Sequence, residues 1–211
     1  MHSIQKKIRE GEHQQQDFKF RIDDSKKIAV SLVAFANTDG GRLLIGVKDN
    51  GRIAGCRSDE EWHMIQGAAD LYCDPPITLE PHRWEIEGKE VLEVYVRPSG
   101  RKPHKAQDDQ GRWWAYFRSE DRNLKAHIVH MALWREHIEP RGSLIELSEE
   151  EEAVLNCLRE RPHRLNEIQR AVGMPRRALV IYLAHLIRWE LIELLLIGDQ
   201  PNEWAFTPKQ S

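Results

Sequence analysis

Residues 25–55 read SKKIAVSLVAFANTDGGRLLIGVKDNGRIAG, and three local patterns succeed one another in this stretch. Ile28, Leu32, Phe35 and Ala36 recur at the spacing of one helical face, which predicts a helix over 25–37 with Ser25 as its cap. Thr38-Asp39-Gly40-Gly41 stops that helix, because glycine enters the left-handed region without steric cost. The run RLLIGVK at 42–48 has the length and apolar character of a strand, and Asp49-Asn50-Gly51 turns the chain back toward Ile53. The glycines at 41 and 46 do not make a phosphate-binding loop, since Gly46 is followed by Val47-Lys48 rather than by Lys-Ser or Lys-Thr.

Working outward, Phe18 and Phe20 alternate with polar neighbours in a predicted strand over 16–21. A helix is expected over 59–72, ended by Pro75-Pro76, then strands over 77–86 and 90–96 about the turn Glu87-Gly88-Lys89. A strand over 112–118 and a helix over 123–137 complete the order β-α-β-α-β-β-β-α, which reads as an α+β domain with helices packed on a mixed sheet. Pro140-Arg141-Gly142-Ser143 marks a break, and Ser148 with Glu151 forms a capping box that opens a new helix. The division is therefore placed at 1–145 and 146–211.

The second part has the pattern of a winged helix-turn-helix, with helices over 148–161 and 166–172, a turn at Gly173-Met174-Pro175, and a third helix reaching Trp189. Residues 191–197 and 203–207, joined by a turn at 198–202, would form the wing. Arg176 and Arg177 at the start of the third helix suit phosphate contact. Further along, Leu179, Leu183 and Leu186 supply one apolar side, and Val180, Ile181 and Ala184 another. A helix apolar on both sides must be covered on both, which predicts a homodimer formed through this domain.

The whole chain has 211 residues, 31 basic against 34 acidic, and a formal net charge of −3, so any anionic partner must meet a local patch. No stretch has the length and apolarity of a membrane span or signal peptide, and a cytoplasmic protein without membrane partners is expected. Cys56, Cys73 and Cys157 lie far apart and give neither a disulfide framework nor a CxxC site. No serine sits in a Gly-x-Ser-x-Gly elbow, so nucleophilic catalysis has no local signal. His127 and His130, three apart with no third ligand at zinc spacing, are read as solvated.

A patch does exist in the sequence. From Arg97 to Lys125 there are eight basic and four acidic residues, a local balance of 8 − 4 = +4. Strand alternation puts Arg112, Trp114, Tyr116 and Arg118 on one face, a combination that pairs phosphates and stacks bases. Lys19, Arg21, Lys26, Lys27 and Arg122 would extend it.

Four segments carry a family resemblance: Glu12 with Asp17-Phe18-Lys19, AFANTDGG at 34–41, LLIGVKDNGRIAG at 43–55, and YFRSEDRN at 116–123. Over about residues 10–135 the chain resembles the Schlafen AlbA-type domain. Two positions depart from the family pattern: Asp17 stands where glutamate is usual, and Glu120 where glycine is expected. The resemblance implies a nucleic-acid-binding protein of transcriptional-regulator type, with DNA ahead of RNA as partner and no cofactor. Its alternative implication is a metal-dependent endoribonuclease of structured RNA, with Glu12, Asp17 and Asp49 as catalytic ligands of Mg²⁺ or Mn²⁺, ions that favour carboxylate oxygens.

Overall fold

The structure, a computed structural model, describes residues 3–135, 146–197 and 203–209, and the chain divides into two compact units, Met1–Lys125 and Ala126–Ser211. The Pro140–Ser143 break and the wing turn at 198–202 lie outside the described residues.

The first unit runs α1 (Ser3–Glu10), β1 (Gln16–Lys19), α2 (Ser25–Asn37), β2 (Gly41–Ile45), α3 (Ser58–Leu71), β3 (Cys73–Asp74), β4 (Leu79–Ile86), β5 (Lys89–Val96), β6 (Lys105–Gln107), β7 (Trp113–Ser119) and β8 (Arg122–Lys125). It is an α+β unit with two sheets. The first sheet has the order β1-β2-β5-β4 and is mixed, because β1 and β2 are parallel and the other pairs antiparallel. The second, β3-β6-β7-β8, is antiparallel throughout.

The continuous apolar run at 43–47 is explained by burial on both faces of the first sheet. Leu43 and Ile45 join α2 and α3 in one core, together with Leu92, Val94 and Val96. Leu44 and Val47 point the other way and pack with Phe18, Ile86 and Val91 beneath Ile4 and Ile8 of α1. The residues before Glu12 form helix α1, and Ile4 and Ile8, one turn apart, are its buried stripe. Phe20 lies beyond the end of β1 and is exposed, where Lys48 Nζ sits 5.3 Å from its ring centre.

Helix α2 is buried almost all round and contacts both sheets. Its cap is Asp24, whose carboxylate accepts the amides of Lys26 and Lys27, so Ser25 is the first helical residue and not the cap. The turn between β4 and β5 is a two-residue hairpin with Glu87 and Gly88 at φ 51° and 72°, so Lys89, read in the sequence as part of the turn, opens β5. The expected helix over 123–137 divides. Residues 122–125 are strand β8, paired with β7 so that Tyr116 faces Lys125 and Arg118 faces Asn123.

The second unit runs α4 (Ile128–Arg135), α5 (Glu149–Leu158), α6 (Leu165–Val172), α7 (Arg176–Arg188), β9 (Ile192–Leu196) and β10 (Trp204–Pro208). The Ser148–Glu151 capping box is present, and Gly173 closes α6 in the left-handed conformation. The two strands form an antiparallel hairpin. Helix α4, expected to close the first unit, belongs to this one: Val129 and Ala132 enter its core with Val180, Leu183 and Ala184 of α7. The second apolar side of α7, from which pairing with another subunit was inferred, therefore meets a helix of its own chain. His127 and His130 are not solvated either. They pack against Trp204, and His127 also against Phe206. Among the described residues no helix is long and apolar enough to cross a membrane.

Two predictions follow from this packing. A Cβ at Gly41 would lie 2.3 Å from the Phe35 ring and 3.0 Å from the Gln15 carbonyl, whereas one at Gly67 in α3 meets nothing within 4 Å. Urea denaturation of Gly41→Ala is expected to show a loss of about 1–3 kcal/mol, and that of Gly67→Ala a gain of up to about 1 kcal/mol. The second concerns pH. Burial pushes the His127 and His130 imidazoles down to about 4, with Arg176 adding to the first shift and His127 to the second. Their folded values lie below the ordinary 6.5, so the unfolded chain binds protons first and stability falls as pH drops from 6.5 toward 4. The melting midpoint of the second unit should decline over that interval, and more shallowly in a His127→Gln, His130→Gln double variant. Equal slopes in the two proteins contradict this account.

Candidate nucleic-acid interface

Strand β7 alternates as its sequence indicates, but its two ends meet different surroundings. Helix α2 packs on β6, β7 and β8. The face carrying Trp114, Tyr116 and Arg118 turns toward that helix, and exposure falls along it from 38% at Trp114 to 7% at Tyr116 and 2% at Arg118. Tyr116 belongs to the core and Arg118 is among the largest fully buried side chains. Of the four residues expected to form one open face, Arg112 and Trp114 are at the surface.

Asp108 organises that surface end. Its carboxylate accepts the Arg112 amide at 2.9 Å, the Arg112 Nε at 3.0 Å and the Trp114 indole N–H at 3.0 Å. Partial burial pulls its carboxyl upward, but the donors from Arg112, Trp114 and the Gln110 amide outweigh this and hold it down at about 2. Asp108 is thus an anion at neutral pH that fixes the indole and guanidinium in place. The Arg112 guanidinium carbon lies 5.7 Å from the Trp114 ring centre, and Lys125 Nζ reaches over the same ring at 4.4 Å. Lys26 donates to the Asp108 carbonyl at 3.2 Å, and Trp113, on the opposite face of the strand, is 40% exposed. The result is an exposed indole held between two cations. Asp108 and Trp113 were not singled out for the site by sequence, whereas Lys26 was; the Asp-Asp-Gln-Gly turn before Arg112 is the signal that could have pointed to an anchoring carboxylate.

The other expected residues are dispersed. Lys19 lies 2.6 Å from Asp17 and also donates to the Phe18 carbonyl, Arg21 pairs with Asp23 at 2.6 Å, and Arg122 is exposed on β8. Arg176 and Arg177 stand exposed at the start of α7 in the second unit, Arg176 donating to Asn166 Oδ1 at 2.7 Å.

Arg118 occupies a buried node. Its Nη2 lies 3.3 Å from Asp17 Oδ1 and donates to the carbonyls of Gln16 and His13 at 3.1 and 3.3 Å; Nη1 donates to Asn123 Oδ1 at 3.0 Å. The guanidinium stacks on Phe35 at 5.1 Å. Glu12 lies beside the same strand, where its Oε1 accepts the Phe18 amide at 2.9 Å. Burial raises the Glu12 carboxyl above its ordinary range and Asp17 adds to the shift, while the Phe18 amide and Lys19 oppose it.

Glu12 and Asp17 therefore converge, as their spacing suggests, but not in the manner of metal ligands. Asp17 already faces Arg118 on one oxygen and Lys19 on the other. Asp49 stands exposed in its turn, and among the described residues no three acidic, histidine or cysteine side chains are grouped to hold an ion. The Glu12, Asp17 and Asp49 set does not fit Mg²⁺ or Mn²⁺, whose octahedral shell needs several converging oxygens.

Glu120, the departure from the family's glycine, takes φ 55° between β7 and β8. It occupies the left-handed region that glycine enters without cost. Its amide donates to Gln14 Oε1 at 2.8 Å, a bond that holds the turn.

Residues 12–127, more than half of the chain, match the family described as Schlafen, AlbA_2. The DIP2311 protein from Corynebacterium diphtheriae is similar in crystal structure, with 17% identity and a TM-score of 0.47 over 94% of this chain and 46% of that one. This chain thus spans about half the length of that protein. The solution structure of the N-terminal domain of a RecG-related protein from Nitrosomonas europaea shows 22% identity and a TM-score of 0.44, covering 69% of this chain and 96% of that domain. No curated protein matches.

Removing one partner from a buried ion pair strands the other charge. Arg118→Met is expected to lower the unfolding free energy by about 3–5 kcal/mol in urea titrations. A loss below about 1 kcal/mol would show that the node is not structural.

Proposed function

The chain belongs to the Schlafen AlbA_2 family, and from that premise we propose that it binds nucleic acid as a transcriptional-regulator-type protein, gripping the phosphate backbone of DNA. The observation that carries this reading is the exposed Trp114 ring flanked by Arg112 and Lys125. An indole offers a stacking platform to any base, and adjacent cations neutralise the phosphates on either side. Arg122 and Lys26 extend the positive surface of the same unit, whereas Tyr116 and Arg118, sealed in the interior, drop out of it.

In the second unit α5, α6 and α7 followed by the β9–β10 hairpin support a winged helix-turn-helix, with Arg176 and Arg177 as its phosphate contacts. In this reading the formal net charge of −3 is no obstacle, because the cations are concentrated where the aromatic ring is.

Fluorescence anisotropy with labelled single-stranded and duplex oligonucleotides tests the proposal. Binding should weaken steeply between 50 and 200 mM salt. Trp114→Ala should weaken it roughly 5- to 150-fold, the equivalent of about 1–3 kcal/mol for one stacked base. Absence of salt-dependent binding to either oligonucleotide overturns the reading. Cleavage of structured RNA with Mn²⁺, lost in Asp17→Asn, would replace it with the nuclease.

A further inference from the structure

A pocket of about 320 Å³ opens in the first unit, lined by Pro75, Pro76, Thr78, Ser99, Arg101 and His104 among others. His104 is buried at 5% exposure, and its ring is engaged at both nitrogens. Nδ1 lies 2.8 Å from the Pro75 carbonyl oxygen and Nε2 lies 2.7 Å from Ser99 Oγ. A carbonyl can only accept, so the proton of the neutral ring sits on Nδ1 and leaves Nε2 as the acceptor of the Ser99 hydroxyl proton.

The backbone holds both partners. The His104 amide donates to Asn37 Oδ1 at 2.7 Å, Asn37 Nδ2 donates to the His104 carbonyl at 2.8 Å, and the Ser99 amide donates to the Ala36 carbonyl at 2.8 Å. Orienting acceptor, imidazole and hydroxyl thus stand in the relation of a nucleophilic triad, with a main-chain carbonyl in place of the carboxylate. A structural tie would account for Nδ1 and for the backbone bonds. Ser99 Oγ also accepts the Arg101 amide at 3.0 Å, a turn bond that leaves the hydroxyl proton to point at Nε2 on the wall of the pocket.

Two further groups complete the arrangement. The amide of Gly100, the residue after the serine, donates to no group among the described residues, and the space beside its Cα is open. That is the position from which an oxyanion is received in serine hydrolases built on a nucleophile elbow. Arg101 is exposed at the rim, while Arg97 is taken up by an ion pair with Glu80.

We infer that Ser99 is a nucleophile activated by His104, and that the pocket hydrolyses small esters carrying a negative charge that pairs with Arg101. Ser99 Oγ bonds to the acyl carbon as its proton passes to His104 Nε2. That proton then goes to the leaving alkoxide as the ester C–O bond breaks. Water attacks the acyl-serine, gives a proton to Nε2 and releases the acid, and the proton returns to Ser99 Oγ. The sum is ester plus water to acid plus alcohol. None of these residues belongs to the Trp114 surface, so this activity and nucleic-acid binding stand or fall separately.

The test uses the full chain with a fluorophosphonate probe, which forms an Oγ–P bond with an activated serine and expels fluoride. Peptide mass mapping should place the adduct on Ser99, and Ser99→Ala should not be labelled. His104→Gln should lower the labelling rate at least about 100-fold while thermal melting shows the variant folded. An unlabelled wild-type protein, an adduct only on other serines, or equal rates for wild type and His104→Gln overturns the inference. The first two readouts need no variant to fold.

Discussion

The Arg118 guanidinium ties together parts of the first unit that the chain keeps far apart. It reaches Asp17 across 101 positions and the carbonyls of His13 and Gln16 just before it, while its other arm holds Asn123 on β8. Arginine suits this place because its planar fork can satisfy several acceptors at once and its flat face stacks on Phe35. A buried positive charge without such partners would be costly, so the node requires β1, α2, β7 and β8 to arrive together. It is the electrostatic pin between the two sheets.

The stretch AFANTDGG at 34–41 acquires a structural meaning from the same region. Asn37 donates to the carbonyls of His104 and Tyr116, and its carbonyl oxygen accepts the His104 amide. Thr38 Oγ1 donates to the Ala34 carbonyl and accepts the Arg118 amide. Gly40 turns the chain at φ 71°, and Gly41 leaves the room that the Phe35 ring fills. Asn37 and Thr38 thus stitch the end of α2 to the second sheet, and Gly40 and Gly41 lead the chain into β2 of the first. Such a segment reads as a motif because its chemistry is architectural, with no bound ligand required to explain it.

The same architecture shapes the surfaces left over. Because α2 covers the distal half of β7, the basic and aromatic face contracts to its proximal end, where Asp108 holds Trp114 and Arg112 rigid before any partner arrives. Preorganised rings and cations lose less freedom on binding than mobile ones. In the second unit α4 plays a comparable part by covering the side of α7 that would otherwise seek another subunit. The Ser99–His104 pair arises where the loop after β5 folds back on Asn37, five positions apart in sequence yet recognisable only once both side chains are placed.

Much of this was readable from local chemistry. The helix over 25–37, its glycine stop, the hairpin at Glu87-Gly88, the Ser148–Glu151 box and the Gly173 cap all depend on residues within a few positions of one another, and each is present. Period-2 alternation likewise identified which side chains of β7 share a face. It could not say what that face meets, because the covering helix lies some 80 residues earlier in the chain, as in the Thr38–Arg118 bond. Short strands such as β3, β6 and β8 escaped for the same reason: a few residues carry too little periodicity, and partners distant in sequence make them strands. Composition and spacing therefore specified the α+β elements and their turns. Burial of Arg118, separation of Asp49 from Glu12 and Asp17, and exposure of Trp114 were settled by packing, since desolvation and ion pairing depend on neighbours that chain order does not reveal.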